Sequence, residues 1–321
     1  MSAMTEAQAE EIFRKMRWPD TDGEPVCPRC GSQKHYPLTN QKKFKCAKAG
    51  CRHQFSITSD TPFAHRKLSY KEIISGIRFF AMEAKGRTAI ALSHQMGVTP
   101  KTAWVFQHKV REAFQHSMRG YRLHGTVEAD GQWFGGYIRP ENVKINRVDR
   151  TLAVNKNGKQ RVVVAARERG ENGRTVVNVF RQEYEARAWA AERIGRDATI
   201  MTDGGPGWLG LFASHEVRQV NHKERYALPD GTNTNQAESF FSRLRRMELG
   251  QHHHVAGPYL ILYAADGAWR ENNRRKDHRT RTMEALRTTL AAPQSPTFSG
   301  YWQRRGPRRL AEGDDFFANF T

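Results

Sequence analysis

Three carboxylates have the types and settings to do chemistry together. The stretch TVEADGQWFGG (126–136) brings Asp130 to the end of a short alternating run that breaks at glycine. ATIMTDGGPGW (198–208) does the same for Asp203, and NTNQAESFFSRLRR (233–246) offers Glu238 on a helix-forming segment. A buried carboxylate costs desolvation energy unless a salt bridge, a helix N-terminus or a metal ion meets it. Two of them side by side repel and raise each other's pKa, and a divalent cation relieves that. Mg²⁺ takes hard oxygen ligands in octahedral geometry, and Mn²⁺ can stand in for it. Two such ions roughly 3.5–4 Å apart serve both the attacking and the leaving oxygen of a phosphoryl transfer. Asn235 lies one turn before Glu238 on the same helix face, and Arg245 two turns after it. Taken singly, each acid is as well explained as a surface or capping residue, and Glu128 belongs in that class.

The elements that must position these acids follow from a period of two that begins near residue 125. It predicts strands over 125–134, 160–167, 174–180, 198–203 and 217–221, with helices over 184–195, 207–212 and 235–248. The first three strands suit an antiparallel meander, and the later two need crossovers and so run parallel. Strands one and four are then neighbours, with Asp130 and Asp203 together at one sheet edge. This is an α/β arrangement, a ribonuclease-H-like mixed sheet with flanking helices.

All four cysteines, Cys27, Cys30, Cys46 and Cys51, fall within one short segment spaced C-x2-C and C-x4-C. Thiolates in that pattern ligate a closed, structural Zn²⁺ site, here on a β-hairpin zinc ribbon. Two disulfides or four unrelated thiols are the alternatives.

Between ribbon and strands, residues 69–118 are helical in pattern. RTAIALSHQMGVTPKTAWVFQHKVREAF (87–114) has a helix-turn-helix outline, with Thr99 as N-cap and Pro100 opening the second helix. Lys101, Thr102, His108, Lys109 and Arg111 would face DNA on that reading, or the pair is an ordinary helical hairpin. QHHH (251–254), with His253, is a DNA contact or a solvated turn. The basic run RENNRRKDHRTRT (270–282), with Arg270, Arg274 and Arg275, is a phosphate track or a solvated helix face. Trp133 and Trp208 stack on bases or pack in the core.

The charge balance favours nucleic acid. The 321 residues hold 52 Lys and Arg against 33 Asp and Glu, for a net charge of +19 and pI near 10.1. No apolar run approaches the ~20 residues of a membrane span, and the start MSAMTEAQAEEIF lacks the regions of a signal peptide. A cytoplasmic, nucleoid-associated place is expected, with no membrane partner and few disulfides.

From about residue 20 to 290 the chain resembles bacterial insertion-sequence transposases of the zinc-ribbon, ISXO-like DDE type. The resemblance rests on CPRCGS, HQFSITSDTPF, KTAWVFQHKVR, VEADGQWFGG, the TDG strand end, NHKERY, TNTNQAESFFSRLRR and YAADGAWRENNRR as one linked series. It implies that Asp130 and Asp203 are catalytic Mg²⁺ ligands, with Glu238 or Asn235 as the third and Arg245 as a DNA-binding base on the same helix. It implies double-stranded DNA as partner, both element ends and target, and a homodimer or higher oligomer holding two ends. The activity implied is hydrolysis at the terminal inverted repeats and joining of the freed 3′-OH to target. Gly131 and Gln132 after Asp130, and Asp266 in the last motif, depart from the family pattern and leave two alternatives. One is a retired, transposase-derived DNA-binding protein, and the other a structure-specific nuclease that cuts without joining. The expected organisation is an N-terminal helix (1–19), zinc ribbon (20–62), helix-turn-helix-like region (63–122), catalytic domain (123–290) and an irregular tail (291–321).

Overall fold

In a computed structural model the protein is described over residues 4–38, 41–136, 140–149, 152–155, 157–221 and 224–301. These residues form two compact units, 4–117 with 275–301, and 118–274. His222 and Lys223 of the NHKERY motif and residues 302–321 of the tail lie outside the described residues.

The first unit opens with helix α1 (Glu6–Arg17), started by a capping box between Thr5 and Gln8. The ribbon follows as a three-stranded antiparallel sheet in the order β1 (His35–Leu38), β2 (Lys43–Cys46), β3 (Gln54–Phe55). Trp18, Phe44 and Phe55 pack edge and face into its small core. Helix α2 (Tyr70–Met82) starts at the Ser69–Glu72 capping box. Helix α3 (Ala89–Met96) ends at Gly97 in the left-handed region (φ 65°), and α4 (Pro100–Met118) starts at Thr99, whose Oγ1 accepts the Thr102 N–H. This is the predicted helix-turn-helix outline. Gly76 on α2 is what lets the helices close up, since a Cβ there would lie 2.7 Å from the Met96 side chain.

The second unit carries the five-stranded sheet. Strands β4 (Thr126–Gly135), β5 (Gln160–Glu168), β6 (Thr175–Phe180), β7 (Thr199–Asp203) and β8 (Glu216–Val220) line up as β6-β5-β4-β7-β8. β4–β5 and β5–β6 are antiparallel, while β4–β7 and β7–β8 are parallel. The predicted neighbours, strands one and four of this unit, are therefore paired. β5 is buried from Val162 to Ala166, as a central strand covered on both faces must be. Helices α6 (Asn235–Met247) and α7 (Leu260–Asn273) pack on β4, β5 and β6, while α5 (Ala186–Arg193) lies between β6 and β7 in the chain.

Several expectations change. β4 does not end at Asp130, because β5 keeps pairing past Asp130↔Ala165 to Gly135↔Gln160. Asp130 is instead the point where β7 stops, its last pair with β4 being Ala129↔Thr202. The expected helix 207–212 is a 3₁₀ stretch, Pro206–Ala213, and helix 184–195 begins as a 3₁₀ turn, Glu183–Glu185. The catalytic domain was expected to reach 290, yet helix α8 (His278–Ala291), capped by Asp277, packs on α1 and α2 in the first unit. The start of the expected irregular tail is packed too: Phe298 is buried against Trp104 and His108.

Candidate active site and zinc centre

The four cysteine sulfurs lie within 4.8 Å of one another, with Cys27–Cys51 at 3.8 Å and Cys30–Cys46 at 3.6 Å. A disulfide needs about 2.05 Å, whereas Zn–S bonds of about 2.3 Å put tetrahedral sulfurs about 3.8 Å apart. The cluster is a structural zinc site. Two backbone knuckles shape it: Gly31 N–H donates to the Cys27 carbonyl and Cys51 N–H to that of Lys48, at 2.9 and 3.1 Å. The Ser32 backbone holds the Cys30 thiol down to about 7, where it ionises readily for a metal. Burial pushes Cys46 up, a cost that bound zinc removes.

The carboxylate site grows from the sheet order. β4 and β7 run parallel with Ala129 paired to Thr202, so Asp130 and Asp203 are the next residues on adjoining strands. The Gly131 N–H donates to Asp130 Oδ1 at 2.7 Å, and the Gly205 N–H to Asp203 Oδ1 at 3.3 Å. Opposite them α6 delivers Glu238. Asp130, Gln132, Glu238, Ser242, Arg245 and Arg246 line one hollow of about 440 Å³. Asn235 is exposed at the first turn of α6, and its N–H is taken by the Asn233 side chain. The hollow thus collects Glu238 and not Asn235.

Of the surface and capping readings, Glu128 takes the capping one, from a buried position. It is fully buried, pairs with Arg169 at 2.6 Å, and accepts the N–H groups of Gln236 and Ala237 at 2.7 and 3.0 Å. Those are orphan donors at the start of α6, where the helix dipole also favours a negative charge. Arg169 then donates to the carbonyls of Gly231 and Asn233, fixing the loop that leads into the helix.

A fourth acid, Glu183, arrives beside the aspartates although no motif marks it. β6 runs parallel to β4 and β7, so the turn after β6 opens at the same sheet edge. The strand order was the available signal for it.

Burial, with the neighbouring Asp203, Glu183 and Glu238 charges, pushes the Asp130 carboxyl to about 7 against the Gly131 hydrogen bond. Burial and Asp203 push Glu183 to about 7 as well. Among the described residues no cation is a cause of either shift. These are hard oxygen donors lacking counter-charge, which is a donor set that fits Mg²⁺. No three of these carboxylates bring ligand atoms within 4.8 Å of one another; among the described residues only the cysteines do.

The expected DNA contacts divide. Lys101 and Thr102 are exposed on the first turn of α4 and share a hollow of about 990 Å³ with the half-buried Lys109. Arg111 cannot reach DNA: it is fully buried, donating to Gln107 Oε1 at 3.4 Å and lying over the Phe80 ring. His108 is buried likewise, its ring against Trp104. Arg245 lies over Phe134, pairs with Glu248 at 2.8 Å and donates to the Trp133 carbonyl. His253 is exposed with a φ of 60°.

The basic run is mostly structural at its start. Arg270 is buried on Asp266 at 2.8 Å, which removes it from any phosphate track. The buried Glu271 takes Arg167, Arg243 and Arg274 at 2.7 to 3.1 Å. Asn272 clips to both backbone groups of Thr175 on the edge strand β6. Arg275 is exposed. Trp208 is wholly buried, so of the two tryptophans only Trp133 keeps an accessible face.

Residues 122–272 match the ISXO2-like transposase domain, and residues 4–54 match the transposase zinc-ribbon domain. The second match takes in α1, which the sequence pattern sets apart from the ribbon. No curated protein matches the chain. Among the described residues no helix is long and apolar enough to cross a membrane.

Proposed function

We propose, for a chain that belongs to the ISXO2-like transposases, that it cuts the DNA ends of an insertion sequence and joins the freed 3′-OH to target DNA. The observation that carries this reading is the convergence of Asp130 and Asp203 from adjacent parallel strands with Glu238 from α6. Asp130, Asp203 and Glu238 would hold Mg²⁺, which supplies activation of the attacking oxygen and stabilisation of the leaving one. In the first step a water oxygen bonds to phosphorus as the 3′-oxygen leaves. In the second, that 3′-OH attacks a target phosphorus in line and displaces the target's own 3′-oxygen.

The chain's side chains supply position and charge. Arg245 and Arg246 line the hollow at Asp130, where a phosphate would need cations. The Phe134 ring and Glu248 hold the Arg245 guanidinium in place. Lys101, Thr102 and Lys109 would meet the terminal repeat from the second helix of the helix-turn-helix, with His253, Arg274 and Arg275 as further backbone contacts. Two copies of the chain would hold the two ends.

The test is cleavage of a labelled duplex carrying the element's own end, with Mg²⁺ or with EDTA, by wild type and Asp130→Ala. Nicking at the element boundary that needs Mg²⁺ and is lost in the variant supports the reading. Joined donor–target products separate a transposase from a nuclease. Binding without cleavage in either Mg²⁺ or Mn²⁺ would mark a retired enzyme.

A further inference from the structure

We propose that Glu183 is a metal-positioning residue of the Asp130–Asp203–Glu238 site, a fourth carboxylate held against the two strands that carry the aspartates. This rests on the reading of that site as one for divalent cations. β4, β6 and β7 run in the same direction, so their C-terminal ends share one edge. Glu183 opens the 3₁₀ turn Glu183–Glu185, three residues after β6 ends at Phe180.

Two glycines make room for its carboxylate. At Gly131, directly after Asp130, a Cβ would lie 2.4 Å from Glu183 Oε1. At Gly207, four residues after Asp203, a Cβ would lie 3.4 Å from Oε2. The two oxygens therefore sit between the backbone segments that run on from the two aspartates. Any residue other than glycine at 131 would push the carboxylate out.

The company it keeps is the second observation. Glu128 meets Arg169 and two helix N–H groups, and Glu271 meets three arginines. Glu183 meets no cation and accepts no hydrogen bond among the described residues; what acts on it is burial and the Asp203 charge. In a chain of net charge +19, a carboxylate that keeps only other carboxylates for company among the described residues is suited to a bound counter-ion. A divalent cation is the ligand class that suits it. Glu183 would bind such an ion directly or hold the water on it.

The test uses the full zinc-loaded chain and Mn²⁺ binding at neutral pH followed by electron paramagnetic resonance, without DNA. Glu183→Gln should weaken Mn²⁺ binding by about tenfold or more, the scale for residues that orient a metal site. Its melting temperature should not fall below the wild-type value, and its affinity for an end duplex should stay at the wild-type level. Gly131→Ala should reproduce the loss, and Glu183→Asp should recover part of it. Wild-type Mn²⁺ binding in both Glu183→Gln and Gly131→Ala overturns the proposal. Asp130→Asn separates this failure from a deeper one. If Asp130→Asn binds Mn²⁺ normally, the cation reading of the whole site fails. If it alone is weakened, only Glu183 is dismissed.

Discussion

The Glu128 carboxylate, two residues before Asp130 on β4, accepts the Gln236 N–H, two residues before Glu238 on α6, at 2.7 Å. One buried carboxylate thus ties the strand bearing one acid to the helix bearing another. Its partner Arg169 extends the tie to the loop at Gly231 and Asn233. The separation of Asp130 and Glu238 is fixed by this clamp, outside the hollow itself.

Breaking the clamp should therefore cost both stability and activity. Glu128→Ala leaves Arg169 without its carboxylate and strands two N–H donors in the interior. Removing one partner of a buried ion pair costs roughly 3–5 kcal/mol, and urea unfolding of the catalytic unit should register a loss on that scale. Glu128→Gln keeps an acceptor for one N–H and should lose less. In that variant cleavage should fall more than end-duplex affinity does, because the helix-turn-helix lies in the other unit. Equal stability of Glu128→Ala and wild type would disprove the clamp.

Zinc should be needed for the ribbon to fold. Its sheet is three short strands around three aromatic rings, too small a core to stand alone. Apparent binding energies for structural zinc in such modules are about 10–16 kcal/mol at neutral pH. One zinc per chain is expected by elemental analysis. Cys46→Ser should release the metal and weaken end-duplex binding, while the Mn²⁺ affinity of the carboxylate site stays unchanged. Full zinc content in Cys46→Ser would remove it from the ligand set.

Much of this was legible in the sequence because period-two runs and cysteine spacing are local signals. All five strands of the mixed sheet appear within one residue of their predicted ends, β4 included. Asp130 nevertheless lies inside that strand and not at its end, because the pairing of β5 carries β4 through Gly131 and Gln132. Glu183 was missed because an acid in a turn has no pattern of its own; only the strand order places it at the edge. Arg111 was assigned to a DNA face by its charge, although it sits on the same buried stripe as Gln107 and Phe114. Arg270 was misjudged in the same way, its partner Asp266 being one turn back.

Without divalent cation, stability should depend on pH in an unusual direction for carboxylates. Asp130 and Glu183 titrate near 7 in the folded protein against ordinary values of 3.8 and 4.5. A folded-state pKa above the unfolded one means that the folded chain binds more protons. Their contribution to stability is then fully present below about pH 4 and is lost as pH rises through about 7. Metal-free melting temperatures should therefore carry a downward component between those limits, and Asp130→Asn should reduce it. Mg²⁺ should raise the melting temperature most at the alkaline end, where both groups are ionised. A Mg²⁺ effect independent of pH over that window would contradict the assignment of these two groups.

Lys101 and Arg111 stand on one helix and should fail in opposite ways. Lys101 is exposed on the first turn of α4, so Lys101→Ala should leave the melting temperature unchanged. If it neutralises a phosphate, end-duplex affinity falls for all sequences alike, and the slope of log K against log salt drops by about 1. Arg111 is enclosed beside Gln107 and Phe80. Arg111→Ala opens a cavity and should destabilise the first unit by roughly 2–4 kcal/mol, as large core truncations do. Any DNA-binding defect it shows should vanish at temperatures where the variant is fully folded, with the salt slope of wild type. A reduced slope in folded Arg111→Ala would mean that its guanidinium reaches the DNA after all.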